Sequence, residues 1–258
     1  MKDADCIAFL QWALPRLGLR WAGFRKVRRQ ACRRISRRIA ELDLASVDAY
    51  RAYLGANPEE RHVLDALCRI TISRFWRDRA VWEALRDDVL PALGSPVSAW
   101  SAGCASGEEP YSLVIAAAQA DVEIVVFATD VDPVLLARAE RASYSPSSLR
   151  ELPAEARDRA FEGHRLRAEY ARAVTFVEHD VRDGAPDGPF DLVLCRNLVF
   201  TYFASALEAE VGGHLVRALR PGGALVVGAH ETPRIAGLEP WLPARGIWRR
   251  CGLTRRLR

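Results

Sequence analysis

Four short stretches place polar side chains at spacings that could hold a small ligand. In WSAGCASGEEPYS (100–112), Gly103 and Gly107 bracket a polar turn, and Glu108 and Glu109 precede Pro110. The spacing is not the GxGxxG of a dinucleotide site, and no Lys-Ser or Lys-Thr opens the following helix as in a P-loop. A carboxylate pair there repels phosphate. It suits a ligand with a positive group, such as an amino-acid ammonium, although acids near a helix N-terminus are favourable whatever is bound. In FATDVDP, Asp130 stands where a strand ends, about 20 residues after the glycine turn, the usual place for an acceptor of ribose hydroxyls. Asp132 and Pro133 read as the cap and first residue of the next helix. VEHD puts Asp180 at a third strand end, within reach of an adenine amine, and LCRN puts Asn197 at a fourth.

An amino-acid end, a ribose, an adenine and no phosphate describe S-adenosylmethionine, and no metal motif accompanies the set. His179 and His230 could act as a base for a hydroxyl acceptor, but each reads first as a structural residue at a strand end.

These side chains need a scaffold with several strand ends on one rim. From Val97 onward, short apolar runs (VSAW, EIVVFAT, AVTFVEH, FDLVLC, GGALVVGA) alternate with helical stretches. That rhythm predicts an α/β fold: a largely parallel, Rossmann-like sheet with helices on both faces. The Arg-rich HRLRAEYARAVTF interrupts it and predicts a short antiparallel excursion around 163–178. No strand pattern precedes residue 70. Phe24, Val27, Ala31, Ile35 and Ile39 recur at helical spacing, with Arg25, Lys26, Arg28, Arg29, Arg33 and Arg37 mainly on the other sides. The chain therefore reads as a small all-α domain over 1–72 and a ligand-binding domain over 73–258.

The net charge of +4 hides an asymmetry: residues 1–72 hold 14 Lys/Arg against 8 Asp/Glu, and the rest 23 against 25. No apolar run approaches the roughly 18 residues of a spanning helix, and Asp3 and Asp5 sit where a signal peptide would be basic. The six cysteines show no CxxC and read as reduced, mostly buried thiols of a cytoplasmic protein.

The pieces ITISRFWRD, WSAGCASGEEPYS, ATDVDP, FDLVLCRN, TYF and LRPGGALVVGAHE, in this order, resemble the chemotaxis receptor methyltransferase family (CheR), which methylates receptor glutamates. The resemblance covers about residues 69–231 and implies a class I methyltransferase sheet. It also implies that Thr71, Ser73 and Arg77 contact the cofactor, Glu109 takes the methionine ammonium and Asp130 the ribose. Asp180 and Val181 would flank the adenine, and Asn197 and Leu198 would line the methionine, beside the close approach at Gly103. Arg77 and Tyr202 would be catalytic. Two positions depart from the family: Thr201 stands where it usually has tyrosine, with Tyr202 next, and Asp180 stands where Asn is common.

An activated methyl donor leaves the protein to align the reactants and exclude water. A glutamate carboxylate is ionised and needs no general base. The expected function is methyl transfer from S-adenosylmethionine to protein glutamate carboxylates, giving S-adenosylhomocysteine, with an acidic helical substrate docking on the basic N-terminal domain. A small-molecule carboxylate, hydroxyl or thiol is the alternative acceptor, and a binding module without turnover a third reading. Nucleic acid finds no aromatic interleaving or base-reading motif to support it, and no membrane insertion is expected.

Overall fold

Buried alternating strands and helices assemble into one of two compact units in the computed structural model, which describes residues 2–252. One unit takes Met1–Thr71 and Thr201–Leu207, and the other Ile72–Phe200 and Glu208–Arg258.

The first unit is helical, with helices Asp3–Ala13, Arg29–Glu41, Val47–Ala56 and Glu60–Cys68. Ser46 caps the third, its hydroxyl accepting from Ala49 N at 3.1 Å. Ala31 and Ile35 bury the apolar face of the Arg29–Glu41 helix, joined by Phe24. The arginine run then divides. Arg28 pairs with Asp3 at 2.8 Å, Arg34 donates to the Arg69 carbonyl, and Arg38 pairs with Glu60. Arg25, Lys26, Arg29, Arg33 and Arg37 stay exposed. Residues 201–207 belong here because Arg20 N donates to Tyr202 O and Ala204 N to Gly18 O, both at 2.8 Å, while Tyr202 packs edge-on to Phe24.

One expectation is corrected in this unit. Cys6 and Cys32 form a disulfide, because two packed helices bring their Cα atoms to 5.8 Å, inside bridging range. Cys68, Cys104 and Cys195 are free and buried, and Cys251 is free and exposed.

The second unit is built on a seven-stranded sheet. Its strands are β1 (Val97–Ala102), β2 (Ile124–Asp130), β5 (Val174–Glu178), β6 (Phe190–Leu194), β7 (Leu219–Val226), β8 (Leu238–Leu242) and β9 (Ile247–Arg250). Their order is β5-β2-β1-β6-β7-β9-β8, with the first five parallel and β9 antiparallel to both β7 and β8. The order reverses at β1, which pairs with β2 on one side and β6 on the other, and such a switch point opens a crevice at the strand carboxyl ends. The antiparallel pair β3 (Phe161–Glu162) and β4 (Arg165–Leu166) is shorter than the 163–178 excursion and begins before it. Val174–Glu178 instead joins the main sheet beside β2. Among the described residues, no helix is long and apolar enough to cross a membrane.

Candidate active site

The turn after β1 is shaped by left-handed backbone. Gly103 (φ 77°), Ala105 (φ 49°) and Gly107 (φ 88°) all take positive φ. The φ at position 103 favours glycine, and a Cβ there would come 2.5 Å from Leu198 Cδ2, so that side chain would have to shift. Gly103 N and Cys104 N both donate to Thr129 O, at 2.8 and 2.9 Å, and Ala105 N donates to Asp130 Oδ2 at 2.8 Å. Asp130 thus ties the turn to the end of β2, while its other oxygen accepts from Asp132 N at 3.0 Å. Asp132 caps the next helix through Val134 N at 3.0 Å.

The two glutamates that open the Glu108–Gln119 helix diverge. Glu108 is buried and accepts from the Ser106 and Ser148 hydroxyls at 2.7 and 2.8 Å, so it fastens the turn from inside. Glu109 accepts from Ser101 Oγ at 2.8 Å, and its side chain, 14% exposed, lies 3.6 Å from Arg196 Nη1. Burial lifts its carboxyl above the ordinary range, against the pull of Arg196, Ser101 and Arg77 and with a push from Glu231. A desolvated carboxylate whose main cation stands beyond hydrogen-bond distance is poised for another cation.

Arg77 follows the fully buried Phe75 and Trp76, and its Nη1 donates to Ile72 O at 3.1 Å. Ser73 lies half-buried on the irregular segment leading to it. Asn197, with φ 56°, donates its backbone N–H to Glu231 Oε2 at 3.0 Å, and Leu198 follows, half-buried. Val181 is buried. Asp180 caps the short turn Val181–Asp183 and holds Arg182 through its backbone N–H at 2.9 Å and its Nη2 at 2.6 Å.

Arg77, Gly103, Glu109, Asp130, Asp180, Val181, Asn197 and Leu198 therefore all belong to the second unit. Thr71 and Tyr202 belong to the first, where Thr71 Oγ1 accepts from Gln30 and Arg34 at 3.1 and 3.4 Å. His179 is engaged with Gly184 O at 3.1 Å. Burial raises the Cys104 and Cys195 thiols well above their ordinary range, so neither is an ionised nucleophile. No cluster of His, Cys, Asp or Glu able to hold a metal ion occurs among the described residues. Sequence reasoning missed Arg196 and Glu231, whose roles rest on burial. A charged residue between a buried strand and Asn197 was the available signal.

The SAM-binding domain of the CheR methyltransferases matches residues 71–240, more than half of the chain. The chain belongs to the CheR methyltransferase family. A chemotaxis protein methyltransferase of Listeria innocua is 34% identical over 176 residues, covering 64% of this chain and 67% of that protein. Chemotaxis protein methyltransferase 2 of Pseudomonas aeruginosa is 29% identical over 215 residues, covering 77% and 76%. As a CheR-type enzyme the protein is an S-adenosylmethionine-dependent methyltransferase. The residues present fit that cofactor on their own chemistry, with a loosely paired buried carboxylate and carboxylates at two further strand ends.

Proposed function

We propose that this enzyme methylates glutamate side-chain carboxylates of a protein substrate. The observation that carries the reading is Glu109, a desolvated carboxylate whose nearest cation stands 3.6 Å away, with Arg77 near enough to act on its charge. When bound, S-adenosylmethionine supplies an activated methyl group. Glu109 holds the methionine ammonium, Asp130 accepts from the ribose, and Asp180 and Val181 flank the adenine. Asn197 and Leu198 line the methionine beside Gly103, and Ser73 completes the cofactor contacts. Arg77 orients the incoming carboxylate, already ionised, so no side chain has to remove a proton.

The exposed Arg25, Lys26, Arg29, Arg33 and Arg37 support an acidic, helical substrate segment as the partner of the first unit. The reading places the reaction in the cytoplasm, where the donor is available.

The test uses methyl-labelled S-adenosylmethionine with source-cell lysate, with and without the enzyme. Protein-bound label released by alkali as methanol is expected, and Arg77→Ala should lower it by roughly 100-fold, the scale set by lost alignment. Label confined to small molecules would overturn the protein acceptor, and an undiminished Arg77→Ala signal would remove that arginine from the site.

A further inference from the structure

Two residues with side chains hold left-handed backbone on either side of Arg77: Trp76 at φ 58° and Asp78 at φ 63°. Each conformation is strained for a residue with a side chain and persists only where the surroundings over-determine it. Trp76 is fixed by packing: its ring stacks on Trp82 at 5.6 Å between centroids, and its N–H donates to Ser112 Oγ at 3.1 Å. Asp78 is fixed by charge. Its Oδ2 accepts from Arg196 Nη2 at 2.8 Å, and the same nitrogen donates to the Arg77 carbonyl at 2.9 Å. That carbonyl also accepts from Trp82 Nε1 at 2.8 Å.

The Arg196 side chain is only 3% exposed, and its guanidinium carbon lies 5.2 Å from the Trp82 ring centroid. Its other terminal nitrogen stands 3.6 Å from Glu109 Oε2, and its Nε finds no hydrogen-bond partner among the described residues. One buried cation therefore touches the turn that presents Arg77 and the carboxylate assigned to the donor's ammonium. Its bonds are short on the Arg77 side and slack on the Glu109 side. A guanidinium spans both because its donors are spread on a rigid fork, whereas a lysine ammonium is a single point.

We propose that Arg196 is a positioning residue that couples the two halves of the site: it locks the Trp76–Asp78 turn so that Arg77 is aimed, and it balances Glu109 without filling it. The proposal rests on the reading of Glu109 as the ammonium acceptor and Arg77 as the orienting group.

Three variants of the full chain separate these jobs from a merely structural one. Arg196→Lys keeps the charge and loses the span, so affinity for S-adenosylhomocysteine should stay within about threefold while kcat falls roughly 100-fold. Arg196→Gln also removes the charge, so affinity should drop by a further factor of about 10. The acid limb of binding should then move to higher pH, because Ser101 and Arg77 alone would hold the Glu109 carboxyl down against burial and Glu231. Asp78→Asn loosens the turn and leaves the buried Arg196 short of a counter-charge, so it should lower kcat and the unfolding temperature while the dissociation constant for S-adenosylhomocysteine stays within about threefold. This third variant keeps the test decisive if an Arg196 variant fails to fold. Wild-type kcat in Arg196→Lys or Asp78→Asn would overturn the coupling, as would an unmoved acid limb in Arg196→Gln. Failure of the underlying reading looks different: Glu109→Gln would then bind S-adenosylhomocysteine as tightly as the wild type.

Discussion

The two units each contain an arginine–glutamate pair, and the pairs are built to opposite ends. In the helical unit, Arg38 Nε and Nη2 reach both oxygens of Glu60 at 2.9 and 2.8 Å, and Tyr50 donates to the same carboxylate at 2.9 Å. The Glu60 side chain is 5% exposed, and the Arg38 bonds hold its carboxyl below the ordinary range despite burial. In the catalytic unit, Arg196 commits its short bonds to Asp78 and the Arg77 carbonyl, and leaves Glu109 at 3.6 Å with its carboxyl lifted by burial. A carboxylate closed by its partners is structural. One held open in a dry place carries unsatisfied attraction for a cation, and that is what a binding site needs.

Removing each acid in turn should break the comparison along those lines. Glu60→Gln leaves Arg38 without its counter-charge and should cost about 3 kcal/mol, read by denaturant unfolding, with cofactor affinity intact. Glu109→Gln should weaken S-adenosylhomocysteine roughly 10-fold to 100-fold by calorimetry. It should not lower the unfolding temperature, since the fold already disfavours the charged form there. If both variants lose stability equally, the two pairs are the same kind of object. Gly103→Ala should cost about 1–2 kcal/mol, because it puts a side chain at positive φ and a Cβ against Leu198. Leu198→Ala should restore the steric part of that loss, measured by the same unfolding curves.

The smallest effect is one of pH. Glu60, depressed below 4.5, supports stability that is present at neutral pH and lost only as pH falls through its lowered value. Glu109, raised above 4.5, is protonated earlier on the same descent, so cofactor binding should fade while the chain is still folded. Binding and folding that fail together would contradict this.

Much of the second unit was legible because parallel strands are buried on both faces and read as apolar runs, and Gly103, Asp130 and Asn197 stand just beyond those runs. The glutamate pair was legible only as a pair, since the Ser106 and Ser148 contacts that turn Glu108 inward come from separate loops. The β8 strand escaped because it carries Pro240 and sits at the sheet edge, where proline is tolerated and hydrophobic pattern is weak. Arg196 escaped because its meaning lies in Asp78 and Glu109, more than 80 residues away. The same holds for Cys6 with Cys32, whose pairing depends on how two helices pack, and for the place of the Thr201–Leu207 segment in the helical unit, although Tyr202 itself was named from the sequence.

The most direct test of the open carboxylate is a calorimetric cycle with two ligands and two proteins. S-adenosylhomocysteine and its deamino analogue, in which the ammonium is replaced by hydrogen, are titrated into the wild type and into Glu109→Gln. The wild type should prefer the ammonium-bearing ligand by about tenfold or more, and Glu109→Gln should lose that preference. An equal preference in both proteins would show that Glu109 does not hold the ammonium, and the contrast between the two pairs would lose its functional meaning.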